Sequence, residues 1–427
     1  MKKLLIISPY FPPVNAADMQ RVRMSLPYFK EFGWQAEVVR VDEEYTDMPT
    51  DILLNESIPA DIKIHCVKAF DKARTSRLGL GSIALRSLWF YLKRVNQLLK
   101  TEKFDLIYFS TTQFPVCVLG AYWKKRFDVP YVIDMQDPWH SEYYRDKPKE
   151  QQPPKYWFSY RLNKYTEPIA MKHVGGLISV SEAYINDLKE RYPQIKNIPA
   201  DTITFGSFLP DMQIADRHKN QFTNLLSAGF KNIVYIGRGG KDMHSAICPL
   251  FEAFKSLLNQ EPSFYNKFRF YFIGTSYAPK GKGQPTILPL AEKYGLAGYV
   301  TENTDRISHF HTLVTLQQAD ALFIPGSDDP KYTASKIYPY LLTKKPLLAI
   351  FNANSPAIKT LIDIGVKHAY TYNGTMNLKN SITGFFKDVL TGNSNIAYND
   401  QELKKYSAYS LTQEQCELFN QVLTDRN

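Results

Sequence analysis

The sequence predicts an α/β protein made of two doubly wound, parallel-sheet domains in tandem. Short β-branched or apolar runs alternate with helical patterns along the chain, as successive βαβ units do. This series loosens between Pro199 and Gly229 into proline, glycine and short polar pieces, then restarts with N-I-V-Y-I-G-R-G-G. A length of 427 residues suits two to three domains, each able to bury its own core.

Strands are expected near Leu4 to Ser8, Ala36 to Val41, Asp61 to Cys66, Leu106 to Ser110, Tyr131 to Asp134 and Gly176 to Ser179. Helices should cover about Met19 to Phe32, Gly81 to Leu99, Val116 to Arg126, Trp157 to Lys172 and Glu182 to Tyr192, the last with Ser181 as N-cap. The second series opens with the strand before Gly237 and a helix from Ser245 to Leu258. Strands follow near Phe268 to Ile273, Gly298 to Val300, Ala321 to Ile324, Leu347 to Ile350 and His368 to Tyr370. The expected divisions are 1–205, a linker over 206–228, 229–399, and a helical tail over 400–427 able to pack back on the first domain.

Composition narrows the partners. Hydrophobic content of 44% with 22% charged residues is ordinary for a globular protein, while 28 Tyr and 26 Phe point to aromatic core packing or to stacking on sugars or bases. A net charge of +10 favours an anionic partner: nucleotide, lipid phosphate or nucleic acid. The basic excess is spread along the chain without an arginine-rich tail, which argues against nucleic acid. Cys66, Cys117, Cys248 and Cys416 lie far apart and form no C-x-x-C pair, so a reducing cytoplasm fits better than a disulfide or metal framework. The opening M-K-K-L-L-I-I stops at Ser8 before P-Y-F-P-P and reads as a first strand rather than a signal peptide. No apolar run reaches the roughly 18 residues that crossing a bilayer needs.

Four strand ends carry the candidate chemistry, because ligands of open α/β sheets sit beyond the carboxyl ends of strands. The first is S-P-Y-F-P-P-V-N-A-A-D-M-Q-R-V-R from Ser8, a loop for an anion or an acceptor, or a turn merely stiffened by Pro12 and Pro13. The second is P-Y-V-I-D-M-Q-D-P-W-H from Pro130, which presents Asp134, Gln136, Asp137 and His140. Asp137 there can accept a hydroxyl proton or hold a sugar hydroxyl, and His140 is either catalytic or structural. The third is Y-I-G-R-G-G-K from Tyr235, where Arg238, Gly239 and Lys241 suit a diphosphate. The fourth, G-S-D-D-P-K-Y-T-A-S-K-I-Y-P-Y from Gly326, opens a helix expected to begin near Thr333 to Ser335. A cation in a first helical turn opposes the helix dipole, so Lys336 points to a phosphate. Asp328 and Asp329 either bind donor hydroxyls or cap the turn. A fifth stretch, Arg74 to Arg94, mixes basic and aromatic residues at helical spacing, as an interfacial helix on anionic lipid or an ordinary helix covering a sheet would.

Together these segments, with F-G-W-Q-A-E-V-V, L-I-S-V-S-E-A-Y and the run Q-A-D-A-L-F-I-P-G-S-D-D-P-K-Y-T-A-S-K-I-Y-P-Y-L-L-T-K-K-P-L-L-A-I, resemble the GT-B glycosyltransferases, specifically the family-4-like bacterial polysaccharide and glycolipid enzymes. The resemblance implies two Rossmann-like domains facing a central cleft, with a nucleotide-sugar donor mainly on the C-terminal domain and an acceptor on the N-terminal one. It implies a retaining transfer to a cell-surface glycan or lipid-linked acceptor, with no cofactor and no metal. The leaving diphosphate would be met by Arg238, Gly239, Lys241, Ser335 and Lys336, and the donor sugar by Asp328, Asp329, Tyr332 and Thr333. Asn15, Arg21, Gln136 and Trp139 would meet the acceptor, beside Asp137 and His140 as the catalytic pair. The cysteine usage and the 74–94 pattern, independently of the likeness, lead to the expectation of a cytoplasmic protein able to touch the inner face of the plasma membrane through 74–94. The chain departs from the family at Ala16-Ala17, where a Gly-Gly pair is common, and at Gln136, where histidine is common. It also has Pro339 and Lys331 where the family has paired glutamates. Pro339 and Lys331 keep open a catalytically inactive nucleotide-sugar-binding or scaffold protein, and the same fold leaves a nucleotide-sugar epimerase as a further alternative.

Overall fold

A computed structural model describes residues 1–76, 79–142, 144–149, 152, 155–330, 336–374, 377–392 and 396–424. The chain forms two compact units: Met1–Phe205 with Ala408–Asn427, and Gly206–Ser407.

The first unit holds a seven-stranded sheet of β1 (Lys2–Ile7), β2 (Trp34–Val41), β3 (Lys63–Val67), β4 (Leu106–Ser110), β5 (Tyr131–Met135), β6 (Gly176–Ser179) and β7 (Ala200–Thr202). All pairings are parallel, in the order β3-β2-β1-β4-β5-β6-β7. β4, β5 and β6 are buried at every position, as strands covered by helices on both faces must be. The helix Ile83–Thr101 starts where the Ser82 side chain accepts from the Leu85 N–H. The helix Ala408–Thr424 belongs to this unit and completes its core. Its Phe419 ring lies 5.6 Å from Trp34 and 5.0 Å from Tyr108. Gly176 makes that docking possible, because a Cβ there would come within 2.6 Å of Val422 and 3.2 Å of Leu418.

The second unit holds β8 (Lys231–Ile236), β9 (Phe268–Ile273), β10 (Val300–Asn303), β11 (Ala321–Pro325), β12 (Leu347–Phe351) and β13 (His368–Thr371). This sheet is also wholly parallel, in the order β10-β9-β8-β11-β12-β13. Its core is aromatic: Phe254 sits 4.8 Å from Phe270 and 5.5 Å from Phe386, with Phe268 5.2 Å from Phe386. Much of the phenylalanine excess is therefore packing.

Three parts of the chain differ from expectation. The segment expected as a linker contains the helix Leu209–His218, tied to the helix His309–Gln318 by Asp211 Oδ2 at 2.9 Å from His309 Nε2. A short buried face of Met212, Ile214 and Ala215 left little periodicity to read. The first helix runs only Gln20–Ser25, and Pro27 then supplies no N–H to prolong it. β10 starts only at Val300, the last residue of the expected Gly298 to Val300, and runs on through Thr301, Glu302 and Asn303, which suit a partly exposed sheet edge.

Strand order reverses between β1 and β4 in one sheet and between β8 and β11 in the other. Loops leaving the carboxyl ends of those strands are where an open sheet binds ligands. Replacing Gly176 by Leu should overpack the helix Ala408–Thr424 and cost about 1–3 kcal/mol. A lowered urea midpoint would show it; an unchanged midpoint would mean that the helix is not docked there.

Candidate functional site

In the second unit the crossover point is built by two loops and one short helix. β8 runs out at Ile236 into Gly237, whose N–H donates to Ile273 O at 2.9 Å. A Cβ on Gly237 would collide with Lys336 Nζ and approach the Tyr235 hydroxyl to 2.9 Å, so glycine leaves the lysine its place. Lys336 precedes the helix Ile337–Leu342. That helix is anchored to the end of β8 by Tyr340, whose hydroxyl accepts from Ile236 N (2.8 Å) and donates to Ile236 O (3.2 Å). The Lys336 ammonium is 3.3 Å from the Tyr235 hydroxyl and 5.2 Å from its ring centre. Among the described residues it pairs with no carboxylate. Burial first, then the charges of Arg238 and Arg306, bring Lys336 down to about 8.

Arg238 is held as a fork against Asp242, at 2.9 and 2.6 Å. That bond, ahead of the others, lowers the Asp242 carboxyl below its usual range. Asp242 also fixes the loop after β11: Ser327 Oγ donates to its carboxylate (2.7 Å) and Asp328 N to its carbonyl (2.8 Å). The Tyr372 hydroxyl closes the loop from the end of β13, 3.2 Å from Ser327 O and 3.3 Å from Asp328 Oδ1. Gly326 is needed because a Cβ would press to 2.9 Å against the Phe351 backbone.

Of the residues expected around a donor, Arg238, Gly239, Asp328, Asp329 and Lys336 gather on these two loops. Gly239 N donates to Thr275 O at 2.8 Å, and Asp329 N to Ser327 Oγ at 3.2 Å. Lys241 is exposed. Tyr332, Thr333, Ser335 and Lys331, and the expected helix start, lie outside the described residues. Asp242, Arg306 and Tyr340 were missed. The i, i+4 spacing of Arg238 and Asp242 was the one readable sign.

The first unit corrects the expected acceptor contacts. Arg21 is 3% exposed and spends its guanidinium inward: Nε on Asp134 Oδ2 (2.7 Å), and the other nitrogens on Ile203 O (2.6 Å) and Thr204 O (3.2 Å). Gln136 is buried too, with Nε2 within 3.0 Å of Asp18 O, Ser110 Oγ and Asp134 Oδ2. Trp139 stacks on Phe114 at 5.3 Å and donates to Asn163 Oδ1 (3.2 Å). These three side chains build the core rather than face a ligand. Asn15 is partly exposed and donates its N–H to Pro49 O at 2.8 Å.

Asp137 and His140 share the loop after β5. Asp137 is exposed at the surface, and its pKa is raised by partial dehydration first and by the Asp18 charge second. Among the described residues His140 Nε2 is buried without a hydrogen-bond partner, 3.7 Å from Glu142 Oε1, and burial lowers its imidazole. Glu167 accepts the His140 N–H at 2.9 Å, holding that backbone in place. Asp18, missed in the sequence, lies at the β1/β4 crossover. It is buried, accepts from Thr111 Oγ1 (2.8 Å) and Thr112 N (3.0 Å), and is raised by that burial.

The stretch 74–94 is also less available than expected. Arg86 is buried and donates to Phe70 O (2.8 Å) and Tyr45 O (2.7 Å), while Arg94 meets His65 Nδ1 at 3.0 Å. Arg77 lies outside the described residues.

Comparison with solved structures decides the architecture. Sucrose-phosphate synthase from Thermosynechococcus elongatus superposes with a TM-score of 0.59 at 14% identity, covering 100% of both chains. Staphylococcus aureus TarM, solved with fondaparinux, α-GlcNAc-glycerol and UDP, gives 0.56 at 12% identity over 98% of this chain and 100% of its own. Anabaena HepE in complex with UDP gives 0.53 at 16% identity over 98% and 99%. The chain has the GT-B fold. Residues 67–204 of this GT-B protein, from the end of β3 past β7, match the family described as Glycosyltransferase Family 4. No curated protein matches the sequence. Within the GT-B protein, Arg21→Ala should strand the Asp134 carboxylate and cost about 3–5 kcal/mol. Calorimetry would register that as a large drop in melting temperature; an unaltered melting temperature would return Arg21 to the list of surface contacts.

Proposed function

We propose that this GT-B protein is a glycosyltransferase that moves a sugar from a nucleotide-diphosphate donor to a glycan or lipid-linked acceptor. The observation that carries the reading is the Lys336 ammonium, unmatched by any described carboxylate, next to Arg238 at the β8/β11 crossover. The Family 4 match supports it, as do the UDP complexes of TarM and HepE.

In this reading the bond from the anomeric carbon to the diphosphate breaks while the diphosphate keeps the electron pair. Negative charge then grows on the leaving oxygen, and Lys336 with Arg238 stabilises it without having to reorganise. Asp242 keeps the Arg238 plane fixed, and Gly237 leaves room for the Lys336 ammonium. Asp328 and Asp329 are the groups for donor hydroxyls. In the first unit, Asp137 is assigned to the acceptor hydroxyl, with His140 beside it as the second proton-exchanging group. Retention of anomeric configuration, a cytoplasmic site of action and a role in bacterial polysaccharide synthesis belong to the same proposal.

A second reading, donor binding without turnover, is favoured by one observation. Pro339 sits in the first turn of the helix Ile337–Leu342, where a missing N–H is harmless, and it offers no carboxylate to a ribose. Titration with UDP-, GDP- and dTDP-sugars separates the two. Thermal stabilisation with slow donor hydrolysis supports the transferase. Stabilisation without turnover across an acceptor panel supports the binder, and no response to any donor sinks both.

Lys336→Ala and Arg238→Ala should each weaken nucleoside-diphosphate binding by about tenfold or more while leaving nucleoside binding nearly unchanged. Equal losses for both ligands would remove the phosphate roles. The pH dependence has a definite sign. With Lys336 at about 8 in the free protein, diphosphate affinity is full below that pH and falls as pH rises through it. Because the folded value lies below the unfolded one, unliganded stability should move the opposite way, rising from about 8 towards the unfolded value. Calorimetric titration between about pH 7 and 10 should show the fall, and Lys336→Ala should flatten it.

A further inference from the structure

We propose that the outer face of the helix Tyr156–Met171 docks on an anionic phospholipid bilayer, lying flat in the headgroup layer. The proposal goes beyond the transferase reading and does not depend on it. Trp157, Arg161, Lys164, Tyr165, Ile169 and Lys172 recur at three- and four-residue steps, so they share one stripe. The large side chains in that stripe are the reverse of a solvated face: Trp157 is 64% exposed, Tyr165 70% and Ile169 50%. The opposite face is committed to the fold, with Glu167, Ala170 and Met171 buried as the helix packs towards the helix Val118–Phe127.

Charge selects the occupant. From Lys155 to His173 the sequence has four Lys or Arg residues and one acid, Glu167. Glu167 is buried, bonded to Arg191 and to the Tyr192 hydroxyl at 2.8 Å, so no carboxylate from this segment dilutes the cationic stripe. Aromatic rings at headgroup depth with cations among the phosphates are what an anionic interface accepts. In water the cations cover the rings, with Arg161 5.7 Å from the Trp157 ring centre and Lys164 6.0 Å from that of Tyr160. Long side chains of this kind can swing to phosphate as the rings enter the interface. The stretch first suspected, 74–94, is the weaker surface because Arg86 and Arg94 are already engaged.

The test is co-sedimentation of the full chain with vesicles of phosphatidylcholine alone and of phosphatidylcholine with about one-third phosphatidylglycerol. Binding should require the anionic lipid and weaken with salt. Replacing Arg161, Lys164 and Lys172 together by Gln should reduce it about tenfold or more, as should replacing Trp157, Tyr165 and Ile169 by Ser. Trp89→Ser with Lys93→Gln should leave it unchanged. Should a triple variant fold poorly, quenching by brominated lipid decides: the unmodified chain should be quenched and Trp157→Phe should lose most of the effect. Equal binding to neutral vesicles, or loss of binding only in the Trp89/Lys93 variant, would overturn the proposal. Capture of single-stranded RNA without vesicle binding would overturn it in favour of nucleic acid.

Discussion

The first unit depends on one buried ion pair, Arg21 with Asp134 at 2.7 Å, 3% and 0% exposed. Removing two charges from water is costly, and their attraction repays it only when the remaining polar atoms are also satisfied. The surroundings meet most of that requirement. Ser110 Oγ donates to the same carboxylate oxygen, the rest of the guanidinium reaches Ile203 and Thr204, and Gln136 bridges to Asp18. One pair thereby joins β4, β5, the first helix and the chain leaving β7. The surface loops that carry Asn15, Asp137 and His140 start from this frame.

The second unit solves the same topological problem with a different balance of charge. There, too, an aspartate holds an arginine, this time at the crossover. Asp242 and Arg238, however, are 39% and 30% exposed, and a pair so open to water is worth little to stability, about 0–1 kcal/mol. Its contribution is geometric: it sets the guanidinium plane and, through Ser327 and Asp328, the course of the loop after β11. In the first unit Arg21 is consumed by the fold. In the second, Lys336 adds a charge that no described carboxylate matches. This contrast is why the proposed donor site is placed on the second unit, a choice that fold alone does not make.

Most of the architecture was legible because buried parallel strands read as continuous apolar runs; β4, β5, β11 and β12 stood out for that reason. β7 and β10 did not, being short or polar at the sheet edges, and the helix Leu209–His218 was lost among prolines and glycines. The candidate site was half legible. Arg238, Lys336 and the Asp328–Asp329 loop follow from their places after β8 and β11. Arg21, Gln136 and Trp139 were misassigned because a polar or aromatic residue after a strand can turn outward to a ligand or inward to a network. Spacing does not distinguish the two. Asp18 and Asp242 escaped notice for the complementary reason: each is a lone acid in sequence and gains meaning only from what folds onto it.

Lys336 shows how the structure can change the cause behind an expected residue. A lysine in a first helical turn was expected to suffer from the helix dipole, but the helix behind it is only six residues long. The larger penalties are dehydration and two neighbouring guanidinium groups. That difference changes the chemistry. A dipole would disfavour the cation weakly at any pH, whereas dehydration lowers its pKa into a range where the proton can leave. In the proposed donor reading, an incoming diphosphate would supply the missing negative charge and stabilise the ammonium form. An arginine at this position would stay charged throughout. In the proposed donor reading, lysine, with Gly237 leaving room for its ammonium and Tyr235 beneath it, would make the site's charge respond to the bound anion.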